Sequence, residues 1–185
     1  IQQIHHLDPS LQDVRQDIDL RNLLEKMIKV LRRRSESASV AFTMHLPDAA
    51  AVVQGHHYYL YQVFEGIVQN AIEAARASIR EEAKPPRVDL TLKLTRSEAH
   101  IIIRDNGPGF QDTARAFDPF YTTKSRASKR GMGLAIAHNI VLEHHGSIRI
   151  ENRTGGAEVH VSLPLSQTGQ TLQTPPADGS PTVEE

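Results

Sequence analysis

The segment Asp105-Asn106-Gly107-Pro108-Gly109 constrains the fold more than any other stretch of this 185-residue chain. It follows Ile101-Ile102-Ile103, an apolar run of the kind that forms a buried strand. An acid and two glycines therefore stand where a strand ends. Glycines on both sides of a proline suit neither a strand interior nor a helix. They suit a tight backbone turn that something approaches closely. Taken alone the segment is a turn, but three others give it context. Gln69-Asn70-Ala71-Ile72-Glu73-Ala74 lies upstream on a helical pattern. Phe117-Asp118-Pro119-Phe120-Tyr121-Thr122-Thr123-Lys124 and Gly131-Met132-Gly133-Leu134 lie downstream.

Hydrophobic spacing places the surrounding elements. Asp19 reads as the cap of a first helix whose stripe is Leu20, Leu23, Leu24, Met27, Ile28 and Leu31, closed by Arg32-Arg33-Arg34. Val40 to Leu46 reads as a strand. A second helix is expected from His56 to about Ile79, with Leu60, Val63, Phe64, Ile67, Val68, Ala71 and Ile72 on its apolar face; Pro85-Pro86 breaks the pattern. Val88, Leu90, Leu92 and Leu94 alternate with polar residues, and His100 to Asp105 returns as the partner strand. Gly107 to Arg130 has no periodicity, and a loop of that length within one domain is commonly functional. Gly131 to His145 is expected to form a third helix with Gly146 as its cap. Ser147 to Asn152 and Ala157 to Leu163 read as a closing hairpin. From Ser166 onward Pro, Gly, Ser, Thr and acids dominate, the composition of a disordered tail.

Composition narrows the classes. A formal net charge of −1 offers no basic field for nucleic acid. The absence of cysteine removes disulfide frameworks and thiolate metal sites. No apolar run reaches the roughly 20 residues that span a bilayer, and the first residues carry no signal-peptide pattern. The chain does not begin with methionine, so a fragment of a longer parent is expected. There is no G-x-x-x-x-G-K-[ST] for a P-loop ATPase, no H-R-D or D-F-G of eukaryotic-type kinases, and no H-E-x-x-H. His5-His6, His56-His57 and His144-His145 are adjacent pairs. Neighbours on a helix do not face one site, so surface or helix-terminal positions are expected for them.

Taken in order, the four segments resemble the N box, first glycine box, F box and second glycine box of the sensor histidine kinase catalytic domain. That family shares its superfamily with gyrase, the Hsp90 chaperones and MutL, and the resemblance covers roughly Asp19 to Pro164. It implies a two-layer α/β sandwich, the Bergerat-type ATP-binding fold, with a mixed sheet of about five strands and three helices on one face. It divides the chain into 1–18, a linker or the end of a dimerisation helix; 19–165, the ATP-binding catalytic domain; and 166–185, a disordered tail.

The resemblance also assigns roles. Asn70 is the amide ligand of Mg²⁺ and a catalytic residue; a hard cation takes such an oxygen and draws its other ligands from phosphates and water. Asp105 accepts the exocyclic amine of adenine, and Gly107 and Gly109 let the backbone close around the base. Phe117 and Thr123 belong to the F box. Lys124, as a catalytic residue, and Arg130, with Arg126 and Lys129, give a lid its positive charge. Gly131, Met132, Gly133 and Leu134 open a helix whose free N–H groups suit phosphates. The chain departs from the family at Gly66, where histidine kinases usually carry a second Asn and the ATPase branches a catalytic Glu. Further departures are Lys129 in place of a glycine and Ala157 after Gly156 in place of Thr.

The implied function is transfer of the ATP γ-phosphate to a histidine outside this chain, for onward transfer to a response regulator receiver domain. His6-Leu7-Asp8-Pro9 does not match the acceptor motif, so the acceptor is expected outside this chain, on the dimerisation domain of a truncated parent kinase or on another protein. A homodimer is expected at full length, which leaves the isolated chain free to be monomeric. A cytoplasmic location follows, with an inner-membrane anchor in the parent left open. Two alternatives stand beside this reading: a related protein kinase of the same superfamily, and a non-catalytic ATP-binding regulatory module.

Overall fold

Leu60, Val63, Phe64, Ile67, Val68, Ala71, Ile72 and Ala75 recur at three- and four-residue spacings, and all are buried on one stripe of a single helix. That helix organises the domain. The computed structural model describes residues 15–35, 40–77, 85–121 and 131–166. In chain order the elements are β1 (Gln16–Asp19), α1 (Leu20–Ser35), β2 (Ala41–His45), β3 (Val52–Gly55), α2 (His57–Ala77), β4 (Arg87–Leu94), β5 (Glu98–Asp105), α3 (Gly133–Glu143), β6 (Ser147–Arg153) and β7 (Gly156–Pro164). Five strands form one mixed sheet in the order β2-β4-β5-β7-β6. Only the β2–β4 pair is parallel.

Strand alternation decides which face is covered. In β4 and β5, Val88, Leu90, Leu92, Ala99, Ile101 and Ile103 are buried and the residues between them are not. In β7 the buried set is Ala157, Val159, Val161 and Leu163. These side chains share one face by register: Ile101 stands opposite Leu92 and Val161, and Ile103 opposite Leu90 and Val159. Helix α2 packs on β4 and β5, with α1 and α3 against it. The expected two-layer α/β sandwich with three helices is therefore observed.

A second, two-stranded sheet was not anticipated. β1 pairs antiparallel with β3, and Gln54 Nε2 donates to Asp17 Oδ1 across the pair. β1 therefore begins three residues ahead of the expected boundary at Asp19. Asp19 accepts from the Arg21 N–H at 3.0 Å, capping α1, and from the Ala51 N–H at 3.2 Å, which ties that cap to the start of β3. At the other boundary the Ser166 N–H donates to the Val52 carbonyl at 2.8 Å. Residues 1–14 of the expected linker and 167–185 of the expected tail lie outside the described residues, as does the end of the second helix at Ile79.

The third helix differs from expectation at both ends. It begins at Gly133, not Gly131, with Met132 as N-cap. At its C-terminus the Gly146 N–H bonds the Val141 carbonyl and the His145 N–H bonds that of Leu142, a Schellman closure. The left-handed residue is His145, at φ 58°, so Gly146 is not the cap. Gly146 is required for space: a Cβ there would lie 2.3 Å from the Ser162 carbonyl oxygen.

His144 is helix-terminal as expected, but it is buried, at 2% exposure. Its Nδ1–H donates to the Ile140 carbonyl at 2.7 Å, and its Nε2 accepts the His56 backbone N–H at 3.0 Å. The ring fills the space left by Gly55, whose Cβ would come within 2.4 Å of it. The ring thus joins the end of α3 to the start of α2, and it must be neutral, because Nε2 is an acceptor. Burial holds its pKa below the ordinary 6.5, aided by the neighbouring His56 and Arg15, against the raising effects of the Ile140 carbonyl and Glu143.

The sign of the linkage follows. Above pH 6.5 both folded and unfolded states carry a neutral His144. Below it the unfolded chain takes a proton that the folded chain refuses, so stability declines towards the lowered pKa by at most about 1.4 kcal/mol per pH unit. Denaturant titrations from pH 8 to 5 should show a plateau and then this fall, and His144→Gln should flatten the fall that begins near pH 6.5. An unchanged slope in the variant would assign the pH dependence to other groups.

Candidate nucleotide site

The turn after β5 is held by short-range hydrogen bonds. Asp105 is 6% exposed at the strand end, and its Oδ1 accepts the Gly107 N–H at 2.8 Å. Asn106 fastens the turn to the start of β4. Its Oδ1 accepts from the Arg87 N–H at 2.8 Å, and its Nδ2 donates to the Pro85 carbonyl at 2.9 Å. Gly107 lies against α2, where an added Cβ would sit 2.7 Å from both the carbonyl carbon and the Cβ of Ala74. Gly109 has φ +82°, in the left-handed region that favours glycine.

Helix geometry connects this turn to Asn70. Gly66, Asn70 and Ala74 are spaced i, i+4, i+8 and lie on one face of α2, over roughly 12 Å of axis. Ala74 meets the glycine turn at one end. Asn70, half-buried, faces the start of α3: its Nδ2 lies 4.0 Å from where a Cβ on Gly133 would be. Next along the face, Gly66 helps line a groove of about 490 Å³ between α2 and α3, with Gln62, Glu65, Gln69, Gly133, Ile136 and Ile140 among its walls. Glu73 accepts from Gln69 Nε2 at 3.5 Å.

Met132 makes no side-chain capping bond at the start of α3, so among the described residues the first amide groups of this 11-residue helix have no side-chain cap. Gly131 precedes it at φ +65°, and its carbonyl accepts the Phe120 N–H at 3.0 Å. A Cβ on Gly131 would meet the Phe120 carbonyl carbon at 2.7 Å. Leu134 packs on the core. Phe117 stacks on His138 of α3 at 5.0 Å, as a loop anchor. Arg115 lies over the Tyr121 ring at 4.7 Å. Thr123, Lys124, Arg126, Lys129 and Arg130 lie outside the described residues.

The structure thus brings Asn70, Gly133 and the Asp105–Gly109 turn onto one side of α2, and sets Phe117 against His138 of α3. Sequence reasoning missed Asn152. Its Oδ1 accepts the Phe110 N–H and its Nδ2 donates to the Phe110 carbonyl, both at 2.8 Å. No local pattern marks it, since its partner lies 42 positions away.

The opposite face of the sheet carries a different cluster. Ligand atoms of Glu151, Glu158 and His160 lie within 4.8 Å of one another. Guanidinium groups already serve these carboxylates: Arg153 bonds Glu158 at 3.2 Å, Arg104 lies 3.6 Å from it, and Arg149 lies 3.2 Å from Glu151. Burial tends to raise the Glu158 pKa, but hydrogen bonds from His160 and Arg153 and the nearby arginine charges outweigh it, and the net direction is down. The cluster is a sheet-face ion network.

Residues 55–167 match the family described as histidine kinase-, DNA gyrase B-, and HSP90-like ATPase. The chain is 34% identical over 159 residues to the C4-dicarboxylate transport sensor protein DctS of Rhodobacter capsulatus, covering 82% of this chain and 23% of that one. It is 32% identical over 159 residues to the signal transduction histidine-protein kinase AtoS of Escherichia coli, covering 83% and 24%. The chain therefore spans about a quarter of the length of these relatives. Its fold superposes on the nucleotide-free catalytic domain of histidine kinase ThkA with a TM-score of 0.72 at 23% identity, over 82% of this chain and 98% of that domain. ThkA in complex with the response regulator TrrA superposes with a TM-score of 0.69 at 21% identity, over 84% of this chain and 43% of that one. Among the described residues no helix is long and apolar enough to cross a membrane.

Gly66 provides a test of the groove. A Cβ there would have nothing within 4 Å, whereas glycine inside a helix costs about 0.5–1 kcal/mol relative to alanine. Gly66→Ala should therefore stabilise the domain by about that amount, read as a rise in the denaturation midpoint. A fall would mean that the groove floor is packed more tightly than this geometry indicates.

Proposed function

We infer, because the chain belongs to the histidine kinase-, DNA gyrase B-, and HSP90-like ATPase family, that it is the ATP-binding catalytic domain of a two-component sensor histidine kinase. The observation that carries this is the single α2 face on which Ala74 meets the Asp105–Gly107 turn and Asn70 meets the start of α3. One end suits a base and the other suits phosphates.

Each group has a chemical task. The Asp105 carboxylate accepts a hydrogen bond from the exocyclic amine of adenine; guanine offers a carbonyl at that position, so a carboxylate discriminates between them. Gly107 and Gly109 let the backbone approach the base. The open N–H groups at Gly133 and Leu134, with Gly131 and Met132 ahead of them, receive phosphate oxygens. Asn70 fits a magnesium ion: its amide offers one hard oxygen beside the phosphate end of the site. When bound, Mg²⁺ neutralises phosphate charge. Lys124 and Arg130 add positive charge from the neighbouring segment, as the family resemblance assigns them. Phosphoryl transfer on such a site is positioning and charge stabilisation.

The substrate of the transfer is a histidine on the dimerisation domain of the parent, and a response regulator receives the group next. Relatives of which this chain spans about a quarter and a kinase of the same fold in complex with a response regulator support that reading; the parent is proposed to be a homodimer with a cytoplasmic catalytic domain. Gly66 keeps a second reading in play, a non-catalytic ATP-binding module.

One measurement tests the base site and a second decides between the two readings. Asp105→Asn should weaken ATP binding by about 1–3 kcal/mol, the cost of an unmet buried partner; an unchanged affinity by calorimetry would remove Asp105 from the site. With γ-labelled ATP and Mg²⁺, the chain should label a supplied dimerisation domain on an acid-labile histidine. ATP binding without such label would favour the regulatory module.

A further inference from the structure

We propose that Asn152 is a positioning residue for the base-recognition loop, a reading that rests on adenine binding at Asp105. The loop contains Gly107 and Gly109, and glycine loses more conformational freedom on ordering than any other residue. A loop so built must be fastened at both ends if it is to be ready for a ligand. Asp105 and Asn106 fasten its start, through Gly107, Arg87 and Pro85.

Asn152 fastens its far end. In β6 it stands opposite Ala157 of β7, which in turn stands opposite Asp105 of β5. The three residues therefore share the helix-covered face, with Asn152 two strands, roughly 10 Å, from Asp105. Ala157 between them is small and buried, which leaves room for the Asn152 side chain to reach the loop. There it bonds both the N–H and the carbonyl of Phe110 at 2.8 Å, as a neighbouring strand would. The two partners fix the amide orientation, since one can only donate and the other only accept. Gly109 rests on the same amide: a Cβ at that position would be 2.8 Å from Asn152 Oδ1. No aspartate, serine or threonine at neutral pH offers a donor and an acceptor side by side in this way.

Asn152 is exposed, so its two bonds contribute little to global stability. Their effect falls on binding, because a loop already in its bound shape costs less to order. The test uses the full chain. ATP affinity is measured by calorimetry, and amide hydrogen exchange is followed by NMR, for the wild type, Asn152→Ala and Asn152→Asp, which keeps the acceptor for the Phe110 N–H. Asn152→Ala should raise the ATP Kd about 5–10-fold and speed exchange at Phe110, while exchange in α2, β4 and β5 stays as in the wild type. Asn152→Asp should fall between the two, and saturating ATP should restore protection at Phe110. An ATP Kd within about twofold of the wild type, or a weakened Kd accompanied by faster exchange throughout α2, β4 and β5, would overturn the proposal. Asp105→Asn run alongside separates the two claims. If it weakens ATP binding and Asn152→Ala does not, only the clamp is lost. If Asp105→Asn has no effect, the base site itself is misplaced.

Discussion

The closeness with which the turn after β5 approaches α2 governs the rest of the site. Gly107 lies so near Ala74 that a single added carbon would overlap the helix backbone. From the opposite side, a Cβ on Gly156 would come 1.8 Å from the Asp105 carbonyl oxygen. The strand end is thus held between the central helix and the last hairpin, so closely that neither Gly107 nor Gly156 has room for a Cβ. Because α2 is rigid and buried along one stripe, contact at Ala74 also sets where Asn70 stands, one turn earlier. The alignment of the Asp105 carboxylate with the Asn70 amide follows from that packing.

Much of this architecture was legible in the sequence. Strict alternation in Val88–Leu94 and the stripe from Leu60 to Ile72 gave the sheet and its covering helix their identities, because a buried face imposes a period of two on strands and of 3.6 on helices. The small β1–β3 sheet was not legible. Its strands have four residues each, too short to show a period, and they exist through pairing with one another. The end of α3 was misread for a different reason. Gly146 looks like a left-handed cap, but His145 takes that conformation and Gly146 is there to clear β7. A glycine signals either freedom or space, and sequence alone does not distinguish them.

The site divides along the same line. Asp105, Gly107, Asn70 and Gly133 sit in local motifs, and folding brings them to one side of α2. Phe117 has its own local motif, yet its observed partner is His138, which no motif names. Asn152 acts through a contact 42 positions distant, and the buried role of His144 depends on Gly55 and His56 nearly 90 positions before it. Such residues are fixed by tertiary geometry, and nothing in their immediate neighbours announces them.

The proposed function requires that one face of α2, with the turn after β5 and the start of α3, form a single nucleotide site. Titration of the isotopically labelled chain with ADP or a non-hydrolysable ATP analogue, followed by NMR, tests it most directly. The largest shift changes are expected at Asn70, Asp105 to Phe110 and Gly131 to Ala135, with Arg104, Arg149, Glu158 and His160 on the opposite sheet face unmoved. Changes concentrated on that opposite face, or their absence around Asp105 and Gly107 at saturating nucleotide, would contradict it.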